Sequence, residues 1–387
     1  MSDLLRKSVN GEPPQPSPRP RPSPRPVTMS SLSIAEADES SSDSSADSSA
    51  SLNTVRPSSS EEVAPATHWT KFFDQEFYFD VESDIQKARY HVYFTPPTDV
   101  KKDPLFIYHH GAGSCGLSFA LFTRELRKRL SDAGVLSLEA RNHGSIITNP
   151  QTGEEIVDFS LATMTADAET MINMTRQKLG WTQLPPTVLL GHSLGGSIVT
   201  QLAVDYALGN AIIGYCVIDF VEGYAIEALQ QIASYLATRP KIFNTLDDAI
   251  HWHVRTRTIR NQESAAISVP SMLTRLPSGK YVWKTDYSAT QPWWDGWFRG
   301  QSQKFLTGRG AKELILAGTD RLDKDLMIGQ MQGKFQLVVV PEAGHFVQED
   351  VPEKTAQLLV EFFRRNDRSA MVLPPKVSDL LAQGKKV

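Results

Sequence analysis

Ser193 lies between glycines in Gly191-His192-Ser193-Leu194-Gly195, with the apolar run "TVLL" before it and "SIVTQLAVDYAL" after it. A strand that turns sharply into a helix at such a pattern leaves the hydroxyl standing free above the sheet. The helix N-terminus then aims its amides at any anion formed there. The glycines would also serve a plain strand-to-helix turn with Ser193 as a cap. The strand before the turn and the helix after it favour a nucleophile. A serine hydroxyl needs a base, and "VVVPEAGHFVQEDVPEK" places His345 in a turn after the last apolar run and before the last long helix. An oxyanion needs two aligned amides. Leu194, the residue after the serine, is one candidate donor. The loop "HHGAGSCG", which follows "PLFIY", offers Ala112 or Gly113 as the other, and Ala112 is preferred.

The acid that would orient the histidine has two candidates. Asp219 ends "YCVID" and Asp320 ends "LILAGTD". Adjacent strand ends bring either carboxylate within reach of an imidazole Nδ1. The spacing leaves both open, with the later strand, and so Asp320, the usual place.

These residues all sit at the ends of short apolar runs: "PLFIYHH", "GVLSLEA", "TVLLGHS", "IIGYCVIDF", "ELILAGTD" and "FQLVVVPEAGH". Between them lie helical stretches such as "FALFTRELRKRLSDAG" and "MTADAETMINMTRQKLG". Near-continuous apolar strands alternating with helices predict an α/β fold, a mostly parallel sheet covered on both faces. The chain order serine, acid, histidine is that of the α/β-hydrolase fold. "HWTKFFDQEFYFDVES" and "ARYHVYFTPP" read as opening strands. About residues 224–305 interrupt the rhythm with no clear strand, and hold Trp252, Trp283, Trp293, Trp294 and Trp297. This insertion reads as a helical cap over the C-terminal edge of the sheet, where ligands of α/β proteins bind. Trp293, Trp294 and Trp297 would either line an apolar substrate surface or form the core of the cap.

The chain has 387 residues, 40 Lys plus Arg against 44 Asp plus Glu, and a formal net charge of -4. That balance supplies no electrostatic case for nucleic acid as a partner. Residues 1–66 stand apart: "PPQPSPRPRPSPRP" is proline-rich and "EADESSSDSSADSSAS" is a serine-acid run. Neither holds the apolar side chains that would offset the entropy of ordering, so a disordered tail is expected before a hydrolase domain over 67–387. A docking ligand for a proline-binding module, or a phosphorylation substrate, is the other reading of that tail. Two distant cysteines, Cys115 and Cys216, offer no metal-ligand spacing. With no spanning run and no signal-like N-terminus, a cytoplasmic or nuclear protein without membrane association is expected.

Several longer segments are more distinctive than the serine motif. "GHSLGG", "VIDFVEG", "WWDGWFRG", "AGTDRLDKDLMIGQMQGKFQLVVVPEAGHFVQEDVPEK", "RPKIFNTLDDAIHW" and "IRNQESA" together resemble the eukaryotic protein phosphatase methylesterases, in a fungal type with a long N-terminal extension. The similarity runs from about His68 to Arg365. It implies an α/β-hydrolase that removes the methyl ester from the C-terminal leucine of the protein phosphatase 2A catalytic subunit and releases methanol. It implies Ser193, Asp219 and His345 as the triad, with Asp219 in the place of the acid, and no metal or organic cofactor. An esterase for small-molecule or lipid esters is the alternative, and a catalytically idle binding module a third. A complete set of serine, histidine and acid argues against the third.

Removal of residues before His68 is expected to leave esterase activity and melting temperature nearly unchanged, because that stretch has no apolar face to dock. A thermal melt beside a rate assay on the shortened chain checks this, and a large loss in either would contradict it.

Overall fold

The computed structural model describes residues 68–318 and 322–367, without the side chains of seven residues within 227–235. The expected tail, residues 1–66, and the candidate acid Asp320 lie outside the described residues.

Strands β1 (Gln75–Glu82) and β2 (Lys87–Thr95) open the fold as an antiparallel pair. They are followed by β3 (Leu105–His109), β4 (Gly134–Glu139), β5 (Ile146–Thr148), β6 (Thr187–His192) and β7 (Ile212–Ile218). Three short strands come next, β8 (Ile242–Phe243), β9 (Leu273–Arg275) and β10 (Tyr281–Trp283). The described strands end with β11 (Ala311–Leu316) and β12 (Gln336–Val339). The main sheet has the order β1-β2-β4-β3-β6-β7-β11-β12, with β5 paired to β2. From β4 to β12 every neighbouring pair is parallel. Each apolar run picked out above is one of these parallel strands.

The runs are continuously apolar because both faces of the sheet are covered. On one face Phe106, Tyr108, Val188, Leu190, Cys216 and Ile218 pack with helices α1 (Ala120–Arg129) and, near the C-terminal end, Pro352–Asn366. On the other, Leu105, Ile107, Leu189, Tyr215 and Val217 pack with α2 (Leu161–Lys178) and α3 (Leu194–Val204). Successive residues point to opposite faces, so every position must be apolar. Ser160 starts α2 by accepting the Thr163 N–H.

The insertion follows Val221. It comprises α4 (Glu222–Thr238), α5 (Leu246–Arg255), α6 (Gln262–Ser268), α7 (Trp294–Phe298) and α8 (Gln301–Thr307). A reciprocal capping box between Thr245 and Asp248 begins α5. The expectation of an insertion without strands is corrected here, since β8, β10 and β9 form a separate antiparallel sheet within it. Strands of two and three residues are too short to display an alternation, and "RLPSGK" reads only as a turn. After β11 come α9 (Lys324–Met331), α10 (Val347–Asp350) and α11 (Pro352–Asn366).

A buried ion pair ties the loop after β4 to α2. Arg141, 1 % exposed, forks onto Asp167 through Nε at 2.6 Å and Nη2 at 2.9 Å. Tyr90 donates to the same carboxylate at 2.7 Å. Taking away the carboxylate would strand a guanidinium in a dry interior. Asp167→Ala is therefore expected to cost about 3–5 kcal/mol. The midpoint of urea unfolding against the parent reads it, and a change under about 1 kcal/mol would contradict it.

Candidate active site

Strand β6 runs into α3 with Ser193 at φ +51° and ψ −121°, a conformation that side-chain-bearing residues rarely adopt. The flanking glycines make the turn possible. A Cβ on Gly191 would stand 2.2 Å from the Gly195 carbonyl oxygen, and one on Gly195 would stand 2.1 Å from that of His109. Ser193 itself donates its N–H to Ile218 O at 2.9 Å, stitching the turn to the end of β7. Glycine spacing in the motif thus answers to two backbone approaches closer than any side chain permits.

The neighbouring strand ends where Asp219 begins, also at positive φ (48°). Its carboxylate is buried and accepts on both oxygens. Oδ1 accepts the Ala317 N–H at 2.9 Å, just past β11, and Oδ2 accepts from His345 Nδ1 at 2.8 Å. A proton on Nδ1 leaves the lone pair of His345 on Nε2, the form a general base requires. Of the two acids weighed above, Asp219 is the one within the described residues, and it is bonded to the histidine.

His345 follows β12 in a turn held from both sides. Gly344, the residue before it, donates its N–H to Asp350 Oδ2 at 2.6 Å, and Arg260 of the insertion donates its own N–H to Asp350 Oδ1 at 2.7 Å. The His345 carbonyl accepts from His192 Nε2 at 2.9 Å. Burial holds His192 down to about 3, so it stays neutral and fixed as a donor. The sequence drew attention to His192 as the neighbour of Ser193 without assigning it a task. Asp350 was not singled out at all, because a carboxylate at a helix end has no distinguishing pattern until its partners are known.

The loop after β3 carries the second expected amide. A Cβ on Gly111 would stand 3.1 Å from that of Ser193, so the loop abuts the nucleophile turn. Of Ala112 and Gly113, it is Gly113 whose N–H is already engaged, donating to His143 Nε2 at 2.9 Å. Ala112 is the loop donor left to pair with Leu194. His110 anchors the same loop. It accepts the Ala140 N–H on Nε2 at 3.1 Å, which leaves Nδ1–H to donate to Gly111 O at 2.8 Å.

Ser193, Asp219, His345 and Ala112 all border one cavity of about 200 Å³. Its far wall comes from the insertion: Tyr224, Arg239, Ile259, Met272 and Phe298. Of Trp293, Trp294 and Trp297, read above as either substrate surface or core of the cap, none borders this cavity. Trp294 and Trp297 are buried at 5 % and 1 % exposure and hydrogen-bond inward, to Thr290 Oγ1 and Phe159 O. Trp293 packs edge-on against Phe159. Trp283 acts indirectly, with the Arg239 guanidinium 3.3 Å above its ring. Among the described residues no group of three or more His, Cys, Asp or Glu is arranged to hold a metal ion. No helix among them is long and apolar enough to cross a membrane.

A hydroxyl on a strained turn, a histidine bordering the same cavity, a buried carboxylate hydrogen-bonded to it and the candidate amides of Leu194 and Ala112 form a set suited to acyl transfer. Comparison with known proteins bears on which acyl transfer. The alpha/beta hydrolase family matches residues 105–358. Protein phosphatase methylesterase 1 of Aspergillus oryzae is 52 % identical over 340 residues, covering 86 % of this chain and 78 % of its relative. The protein of the same name from Schizosaccharomyces pombe is 41 % identical over 310 residues, covering 80 % and 87 %. Among solved structures, E-2-(acetamidomethylene)succinate hydrolase aligns with a TM-score of 0.54 at 20 % identity, over 74 % of this chain and all of that one. A peroxisomal alpha-beta-hydrolase of Saccharomyces cerevisiae aligns at 0.56 and 14 %, over 80 % and 94 %, a likeness of fold alone. The chain is a serine hydrolase that belongs to the alpha/beta hydrolase family and, within it, to the protein phosphatase methylesterases.

Proposed function

We propose that this enzyme hydrolyses the methyl ester on the C-terminal leucine of the protein phosphatase 2A catalytic subunit, with Ser193 as nucleophile, His345 as base and Asp219 as the acid behind it. The observation that carries the reading is the hydrogen bond from His345 Nδ1 to Asp219 Oδ2, in a chain half identical to proteins named for this activity.

His345 Nε2 takes the hydroxyl proton as Ser193 Oγ bonds to the ester carbonyl carbon. The carbonyl oxygen becomes an oxyanion, held by the N–H groups of Leu194 and Ala112. A single such donor contributes roughly 10²–10³ in kcat in related chemistry. Collapse of the tetrahedral species breaks the bond to the methoxy oxygen, which leaves as methanol with the proton from His345. Water, deprotonated by His345, then attacks the acyl-enzyme. Collapse breaks the bond to Ser193 Oγ, which takes the proton from His345, and releases the carboxylic acid, which ionises in solvent. Asp219 holds the ring in one tautomer and stabilises the imidazolium throughout.

In Asp219→Asn the Ala317 N–H, a fixed donor, keeps the amide oxygen on its side, which turns the NH₂ toward His345 Nδ1 and moves the ring proton to Nε2, so the productive tautomer is lost. The variant is expected to lower kcat by about 10⁴-fold, and Asp320→Asn far less. Steady-state rates of the two variants decide it, and a crippled Asp320→Asn beside an active Asp219→Asn would overturn the assignment.

The substrate is tested by comparing the methylated phosphatase with leucine methyl ester, using Ser193→Ala as the blank. Contacts with the body of a protein substrate help orient the reacting ester, so kcat/KM is expected to be far higher for the phosphatase. Equal efficiency on both, or no turnover of the phosphatase, would favour a small-molecule esterase instead.

A further inference from the structure

We propose that His143 is a positioning residue for the oxyanion hole, acting by drawing the Gly113 N–H away from the cavity and fixing the loop so that Ala112 is its donor. The inference rests on the serine mechanism above.

The loop Gly111–Gly113 belongs to no helix or strand and follows the end of β3 directly. Gly113 has φ +71°, so the chain reverses there and needs an external restraint to keep one setting. Two side chains supply that restraint, and both are histidines from outside the triad. His110 holds the loop's entry through Gly111 O. His143 holds its exit through Gly113 N.

The ring of His143 is itself locked. Because Nε2 accepts from Gly113, the ring proton lies on Nδ1, and that nitrogen donates to Arg141 O at 2.8 Å. The guanidinium of Arg141 is clamped by Asp167 and also donates to Asp158 O at 3.0 Å. Asn142, between them, sits at φ +57° and accepts from Thr285 Oγ1 of the insertion at 2.6 Å. Each residue of Arg141-Asn142-His143 is thus fastened to a different part of the fold. The turn serves as a rigid bracket with a single basic nitrogen directed at the loop. Burial keeps His143 down at about 4, so that nitrogen retains its lone pair at neutral pH.

The arrangement demands an acceptor at the position of Nε2. A glutamine side chain carries its amide oxygen to about that place, whereas leucine fills the volume without an acceptor. In the full-length enzyme, His143→Leu is expected to lower kcat by about 10²-fold, the loss that a displacement near 1 Å produces, with KM within about two-fold. Inhibition by a trifluoromethyl ketone, whose hemiketal oxyanion occupies the same hole, should weaken by a similar factor. His143→Gln is expected to recover most of both losses. Melting temperatures of the two variants separate a displaced loop from an unfolded chain, and His143→Gln alone carries the test if the leucine variant does not fold.

Parent-like kcat in His143→Leu would overturn the proposal. So would a loss of kcat with ketone affinity unchanged, or a folded His143→Gln as impaired as the leucine variant. Failure of the underlying mechanism would look different, as residual turnover in Ser193→Ala.

Discussion

The fold turns on one enforced backbone conformation, that of Ser193. A residue with a side chain is held at φ +51°, and nothing local favours it. It is imposed by β6 and α3, which approach until Gly191 meets the carbonyl of Gly195 and Gly195 meets that of His109. Those approaches depend in turn on close packing of β3, β6 and β7 through both faces of the sheet. The strain is thus maintained by the two hydrophobic layers, and the exposed hydroxyl is their product. Asp219 repeats the device one strand over, again at positive φ. Two neighbouring strand ends store backbone strain, and both carry residues of the triad.

Much of this was legible in the residues themselves. Each parallel strand is a continuous apolar run because each lies between two covered faces, and a pattern with that cause can be read without coordinates. Ser193, His345 and Leu194 follow from strand-turn-helix context and chain order. The acid was of another kind. Asp219 and Asp320 both end strands, and strand-end position is all that spacing reveals. Choosing between them required the resemblance, and then the contact with His345. Ala112 and Gly113 were equivalent in sequence for a similar reason: what separates them is a bond to a histidine thirty residues on.

The insertion was the least legible part. Its length and aromatic content announced a folded unit, yet its small sheet has strands too short to show a period, and its tryptophans gave no sign of which way they face. The indole N–H groups of Trp294, Trp297 and Trp283 find their acceptors in Thr290, Phe159 and Pro240. The cavity wall falls instead to Phe298, Met272, Ile259 and Tyr224, side chains without any marking in the sequence. Asp350 and His143 share this character. Each is defined by two backbone groups it holds, and such groups leave no trace in the order of residues.

One core feature bears on how the chain is made. The layer on one face of the sheet joins Phe106, Leu121 and Phe122 to Val360 and Phe363, and it continues into Trp252, Ile259 and Ile267 of the insertion. Residues separated by some two-thirds of the protein therefore share one water-free region. As the polypeptide leaves the ribosome, the part of α1 that packs on Leu359, Val360 and Phe363 stays uncovered until α11 has been synthesised. His345 is added to the strained serine in that same closing stretch. The nascent protein is therefore without hydrolytic competence until His345 has been added, while carrying an exposed greasy flank of the sort that molecular chaperones engage. Activity and protection of that flank arrive together, with α11.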